Sequence, residues 1–299
     1  MKNFSSFLRK STKSRKIGLP IESATANGVS LLPDQPLVSL MLRFLTALVL
    51  VSVVACSTNT GTSNPEYAPA NGKSIAVYGA SGKIGGLIVD EALKRGYQVF
   101  GISRNPLALS LEAPGFLAVG GDLTDRDSVL TLAKTVDAIV ISVAGTGEGN
   151  LPETTVHAVG AQHMVSVLSD MENAPRVIQI GGASTMFGDA DAMLENMPFR
   201  AKPGSPMHAM LFGHRVALDT YLASDINWTV VTPPVKILGW TPRKIKDPDT
   251  SMGAYRTSLT ELVVDNEGEN SIYVRDLAIA TVDELDNAKF VQQRFTVGY

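Results

Sequence analysis

The sequence predicts an α/β protein: a doubly wound parallel sheet with helices on both faces, forming a single domain with a small C-terminal portion on the substrate side. Three observations carry this expectation. From Ser74 onward, apolar runs of strand length alternate with helical patterns, as a parallel sheet covered on both faces requires. The first strand runs straight into a glycine-rich turn and then into an amphipathic helix. With 299 residues, 44% of them hydrophobic, the chain can bury a large core.

The elements follow in order. Ser74–Tyr78 reads as strand one, and the helix after it places Ile84, Leu87, Ile88, Ala92 and Leu93 on one face, with Gly96 as its stop. Strands are expected at 98–102 and 116–119. Asp125 is placed to cap a helix through Val129, Leu130 and Ala133. The continuous apolar run 138–143 reads as a strand buried on both faces, followed by a helix over about 154–172 and a strand at 176–180. Beyond it the pattern loosens: a loop-rich stretch over 183–205, a helix over 206–223, and a strand at 228–231 halted by Pro233-Pro234. A long loop over 236–252, short strands near 262–264 and 271–273, a helix over 276–287 and a last strand at 294–297 complete the chain. Insertions after the later strands of such a sheet lie at its carboxyl edge, where substrates bind.

The N-terminal region reads differently. Residues 1–56 hold seven Lys/Arg and two acids, which leaves 19 basic and 27 acidic residues for the remainder. A body this acidic is a poor partner for nucleic acid. The apolar run Phe44–Ala55 would rise only about 18 Å as a helix, too short for a hydrocarbon core of about 30 Å but suited to a signal peptide. Val53-Val54-Ala55-Cys56 resembles a lipobox, with the sole cysteine, Cys56, as the lipidated residue. The expectation is a leader over 1–56, with Met41 a natural start and residues 1–40 an upstream extension, then a polar tether over 57–73 and the folded domain over 74–299. With Ser57 after the cysteine, the anchor points to the outer membrane facing the periplasm; without use of the signal the protein would be cytoplasmic. A single cysteine excludes an intrachain disulfide and a multi-thiolate metal site, and no metal is expected.

The chemistry begins at Gly79-Ala80-Ser81-Gly82-Lys83-Ile84-Gly85. A pyrophosphate approaches main chain only where side chains are absent, and the following helix N-terminus then holds its charge. In this strand–turn–helix context the loop makes the domain Rossmann-like and dinucleotide-binding. At the end of strand two, Ser103-Arg104-Asn105 carries no acid for a ribose 2′-hydroxyl, so Arg104 favours NADP(H), with NAD(H) possible. Asp122 and Leu123 are placed to flank the adenine, although Asp122 could instead cap a helix. Ala144 and Gly145 would let ribose and nicotinamide lie close to backbone, although a plain turn explains the glycines of this stretch equally well.

Taken together, the glycine loop, Arg104-Asn105-Pro106, Gly121-Asp122-Leu123, the block from Asp225 to Pro234 and the terminal Asp283-Glu284-Leu285 with 294–299 resemble the atypical short-chain dehydrogenase/reductase-like NAD(P)H-binding proteins. Within these the likeness is to the NADH-flavin reductases related to biliverdin reductase B. Dehydrogenases of the superfamily use a Tyr-x-x-x-Lys pair on the helix before strand six, and here Met210 and His214 stand at those positions. A thioether donates no proton, which disfavours tyrosine-driven carbonyl reduction and epimerase chemistry. The resemblance implies His214 as the catalytic-site group, orienting cofactor or substrate, with His208 a weaker candidate and a satisfied core histidine the alternative. It implies a reductase whose small-molecule acceptor is a flavin or similar flat ring, taken as substrate and not tightly bound. The alternative is a non-catalytic NAD(P)-binding sensor or assembly protein at a membrane. His157 and His163, six apart, imply no metal site, and the basic loop 240–246 reads as solvated.

Overall fold

The computed structural model describes residues 67–187, 201–239 and 250–299. Its main sheet is built in chain order from β1 (Ser74–Tyr78), β2 (Gln98–Ser103), β3 (Phe116–Gly120), β4 (Ala138–Ile141), β5 (Arg176–Ile180), β6 (Trp228–Thr232), β8 (Arg256–Ser258) and β10 (Gln293–Gly298). The spatial order is β3-β2-β1-β4-β5-β6-β10-β8, and every neighbouring pair is parallel except β10 with β8. The strand order reverses between β1 and β4, which makes the carboxyl ends of these two strands the switch point of the sheet. Two short strands, β7 (Lys236–Leu238) and β9 (Ser271–Tyr273), pair separately in parallel.

Alternation along the strands divides the core. Ile75, Val77, Val99, Val140, Ile178 and Val231 face one side, under α1 (Lys83–Lys94) and α5 (Val274–Asn287). Ala76, Tyr78, Ile139, Ile141, Val177 and Val230 face the other, under α2 (Arg126–Ala133), α3 (Val156–Leu168) and α4 (Pro206–Leu222). Strands β4, β5 and β6 are buried along their whole length; β4 is a continuous apolar run, while β5 and β6 also bury polar residues that find partners, such as Gln179, which accepts from Tyr221 Oη at 2.8 Å. Asp125 caps α2 as expected, accepting from the amides of Asp127 and Ser128.

Several boundaries differ from the sequence expectation. The run 138–143 is a strand only to Ile141, because β1 has by then turned into the glycine loop and the Ser142 carbonyl packs against Gly79. Residues 262–264 form no strand. Val263 is buried, its carbonyl accepts from Asn270 Nδ2 at 2.6 Å, and it packs on Gly298, so its apolar character serves packing without a ladder. The antiparallel strand is instead β8, at 256–258, and β7 lies inside the stretch expected as loop. Helix α3 is shorter than the expected 154–172, starting after Thr155, whose hydroxyl caps the Ala158 amide, and α5 starts two residues before 276.

At the amino edge of the sheet the chain is locked by a buried ion pair. Arg176, at the start of β5, pairs with Glu284 on α5, donates to the Glu284 carbonyl at 2.7 Å, and donates to Thr229 Oγ1 at 2.8 Å. Glu284 also accepts from the amides of Phe290 (2.9 Å) and Lys289 (3.2 Å), which steer the chain from α5 into β10. Breaking such a pair strands a charge in the core. Glu284→Ala is therefore expected to lower unfolding free energy by about 3–5 kcal/mol, read as a drop in the urea midpoint of the purified protein.

Candidate functional site

The switch point is shaped by close contacts between backbone atoms. Gly79 has φ +79°, and a Cβ there would stand 2.0 Å from the Ser142 carbonyl oxygen. A Cβ on Gly85 would stand 2.2 Å from the Gly79 carbonyl oxygen. These two glycines are thus demanded by β1, β4 and α1 touching one another. Gly82 differs, since a Cβ would meet Gly79 O only at 3.0 Å. It is the N-cap of α1, makes no side-chain cap, and has no acid in the turn after it. The start of α1 thus carries its positive dipole end into the switch point with no acid in its own first turn. Ser81, Lys83 and Ile84 are half-buried around this cradle, while Ala80 is buried beneath it against Gly101. A dinucleotide pyrophosphate fits the cradle in shape and charge.

The remaining expected cofactor residues line the same edge. Arg104 is exposed at the end of β2. Asp122 does not cap α2; its carboxylate accepts from the Thr124 amide (2.8 Å) and hydroxyl (2.7 Å). Burial alone would raise this carboxyl, but Thr124, and then the charges of Arg104 and His163, hold it below the usual carboxylate range. His163 secures the same turn, its Nδ1 lying 3.1 Å from the carbonyl of buried Leu123. After β4, Ala144 is exposed, and a Cβ on Gly145 would make only ordinary contact with Val156 (3.5 Å). Gly147 is different: a Cβ there would lie 1.7 Å from the Thr154 carbonyl, so the turn itself requires it.

His214 lies on α4 against the end of β5. A Cβ on Gly182 would stand 2.6 Å from His214 Cδ2, so the imidazole packs on bare backbone. On its other side is His157 from α3, with ring centroids 3.8 Å apart and planes inclined by 32°. Burial, reinforced by His157, holds His214 well below the ordinary histidine range, and burial pushes His157 down to about 4. His214 is accordingly a neutral hydrogen-bonding group at pH 7. His208, six residues earlier on the same helix, stacks on Phe212 at 4.4 Å. Among the described residues no cluster of three or more His, Cys, Asp or Glu could hold a metal, and no helix is long and apolar enough to cross a membrane. Cys56 and the loop 240–246 lie outside the described residues.

The sequence singled out the glycine loop, Arg104 and His214 as candidates, but not the pairing of His157 with His214 or the part played by Gly182. The available signal was Gly181-Gly182 directly after an apolar strand, where a missing side chain implies a close neighbour.

Residues 79–287 match the family of NAD(P)H-binding proteins. The chain belongs to that family, as an atypical short-chain dehydrogenase/reductase-like member with a Rossmann-like fold. Among solved structures it is similar to one named as an exported protein from Burkholderia pseudomallei, at 27% identity and TM-score 0.59, covering 76% of this chain and 100% of that one. A second, named as an epimerase from Bacteroides thetaiotaomicron, has 26% identity and TM-score 0.61, covering 76% and 97%. A third, named as an NADH-flavin reductase from Streptococcus pneumoniae, has 24% identity and TM-score 0.58, covering 76% and 99%.

Two outcomes test this geometry. Gly79→Ala is expected to destabilise the fold by at least about 1–3 kcal/mol through its positive φ, whereas Gly82→Ala, whose Cβ would be tight against the Gly79 carbonyl but at an ordinary φ, should lower the melting temperature less and weaken NADPH binding about tenfold or more, a loss of ~1.4 kcal/mol. Calorimetry and dinucleotide titration separate the two. The second concerns pH. The folded pKa of His157 lies below its unfolded value near 6.5, so the unfolded chain binds the extra proton first. Its contribution is fully present above pH 6.5 and is lost as pH falls toward 4, by ~3 kcal/mol. Urea midpoints across that window should show the decline, and His157→Phe should reduce it, the remainder coming from His214, which burial also holds below the ordinary range.

Proposed function

We propose that the protein is an NADPH-dependent reductase of flat electron-accepting rings, a free flavin being the representative substrate. The observation that carries this reading is the combination of an open dinucleotide cradle with a neutral imidazole, His214, where a proton-donating Tyr–Lys pair is absent. When bound, the reduced nicotinamide supplies hydride, and a flavin accepts it without a dedicated protein acid. The chain's own residues then have modest tasks. The α1 N-terminus holds the pyrophosphate, Arg104 offers a guanidinium to a 2′-phosphate, and His214 orients the reacting end by hydrogen bonding. The name of the streptococcal structure supports the flavin as acceptor; that of the Bacteroides structure points to epimerase chemistry, which Met210 at the tyrosine position disfavours.

The protein is expected to oxidise NADPH, followed at 340 nm, when FMN or FAD is added. Arg104→Gln should raise the Kd for NADPH about tenfold or more, or ~1.4 kcal/mol, with little change for NADH. Absence of turnover with every flavin and quinone would remove the reductase reading. Saturable binding without turnover would instead favour a non-catalytic dinucleotide-binding protein at a membrane, a role that the missing tyrosine also suits.

The lipobox-like segment supports a further part of the proposal: that Cys56 carries lipid and tethers the domain to the outer membrane, facing the periplasm. The name of the Burkholderia structure is consistent with export. In a bacterial host, Cys56→Ala is expected to move the protein from the membrane fraction to a soluble one and to abolish labelling by a radioactive fatty acid. Equal partitioning of the two forms would contradict the anchor.

A further inference from the structure

We propose that His157 is a positioning residue for His214: its ring, stacked at 3.8 Å, closes the His214 imidazole against the Gly182 backbone and fixes the direction in which His214 meets the nicotinamide end of a bound dinucleotide. The inference rests on the dinucleotide reading given above and deepens it.

His157 is costly where it stands. The residue is 1% exposed, and both of its ring nitrogens are buried without a hydrogen-bond partner among the described residues. An apolar side chain would fill the same space without an unpaired polar group, whose burial costs about 1–3 kcal/mol. Its position in the first turn of α3 further disfavours a cation, because the positive end of the helix dipole is there. Core packing alone therefore does not account for a histidine at this point. What the position supplies to His214 is a flat ring at close range.

The slot around His214 is closed from three directions. Gly182 forms one wall, with the positions that a Cβ would occupy lying 2.6 Å from Cδ2 and 2.8 Å from Cγ of the imidazole. His157 forms the second. The third is the junction of α3 and α4, where Gly213 lies so close to the N-cap Thr155 that a Cβ would stand 2.2 Å from Thr155 Oγ1. Thr155 precedes His157 by two residues and Gly213 adjoins His214, so the packing of the Thr155 side chain on bare Gly213 sets the spacing of the two rings. The imidazole of His214 has little room to turn.

The charge state follows from the same enclosure. Burial comes first in holding His214 neutral, and the one titratable neighbour that adds to it is His157. Among the described residues no carboxylate raises either ring. Two protonated rings at this separation would repel each other in a poorly solvated site. His214 thus serves as a fixed neutral donor or acceptor, in contrast to the mobile cation that a lysine would supply at the same position.

The test uses the full protein, its His157→Ala and His157→Phe variants, NADP⁺ as the binding probe and NADPH with FMN as the activity probe. Histidine side-chain NMR in the wild type should show His214 neutral from pH 8 down to 5, with its resonances shifted by NADP⁺. His157→Phe keeps a ring on the stack and should preserve both features, with kcat and KM near those of the wild type. His157→Ala should let His214 titrate near 6.5 and introduce that limb into the pH profile of kcat/KM, with a loss of about tenfold or more, since loss of positioning can cost ~10²-fold. Should the alanine variant fail to fold, His157→Gln replaces it, being similar in size but without a ring. Wild-type His214 titrating near 6.5, or alanine and phenylalanine variants with the same pH profile and the same NADP⁺ response, would overturn the inference. If the wild type turns over no flavin, the flavin-reductase reading fails while the NMR titration and NADP⁺ response still decide the role of His157.

Discussion

The contact on which the site depends is that of the Ser142 carbonyl with Gly79, and of the Gly79 carbonyl with Gly85. It brings the ends of β1 and β4 and the first turn of α1 within van der Waals distance, with no room for a Cβ between them. Two consequences follow from it. The helix N-terminus is aimed into the crevice where the strand order reverses, and β4 is released from the sheet at Ile141 to pass over the crevice. Both are prerequisites for holding an anionic, elongated ligand along the carboxyl edge.

The opposite edge of the sheet is built for rigidity. Arg176, Thr229 and Glu284 form a buried polar knot that joins β5, β6, α5 and the entry to β10. Nearby, Arg95 binds Glu91, Asp283 and Asp286, so α1 and α5 are pinned to each other as well. The carboxyl edge carries the longer excursions of the chain: the turn after β4, the stretch after β5, and the β7–β9 pair. A scaffold fixed at one edge and elaborated at the other can present a ligand surface without straining its core.

Much of this was legible in the sequence, for identifiable reasons. The central strand β4 is buried on both faces and therefore reads as an apolar run, and the glycine loop must lack side chains whatever surrounds it. Asp125 was readable as a cap because its partners lie two and three residues away. What escaped detection depends on contacts distant along the chain. The apolar run 262–264 resembles a strand, but it is β8, at 256–258, that pairs with β10, and Val263 only packs on Gly298. His157 and His214 are brought together by α3 crossing α4, and no spacing rule within either helix could reveal a ring contact between them. Asp122 illustrates an intermediate case: its local turn to Thr124 was within reach of sequence, whereas its electrostatic partners, Arg104 and His163, come from other elements.

The central claim is that a nicotinamide dinucleotide lies across the carboxyl edge, from Arg104 at its adenosine end to His214 at its reacting end. A crystal structure of the protein with NADP⁺ tests it most directly. The account predicts the pyrophosphate within hydrogen-bond distance of the main-chain amides of 81–85, with the nicotinamide beside His214. A dinucleotide bound elsewhere, or one whose pyrophosphate makes no contact with that loop, would contradict it.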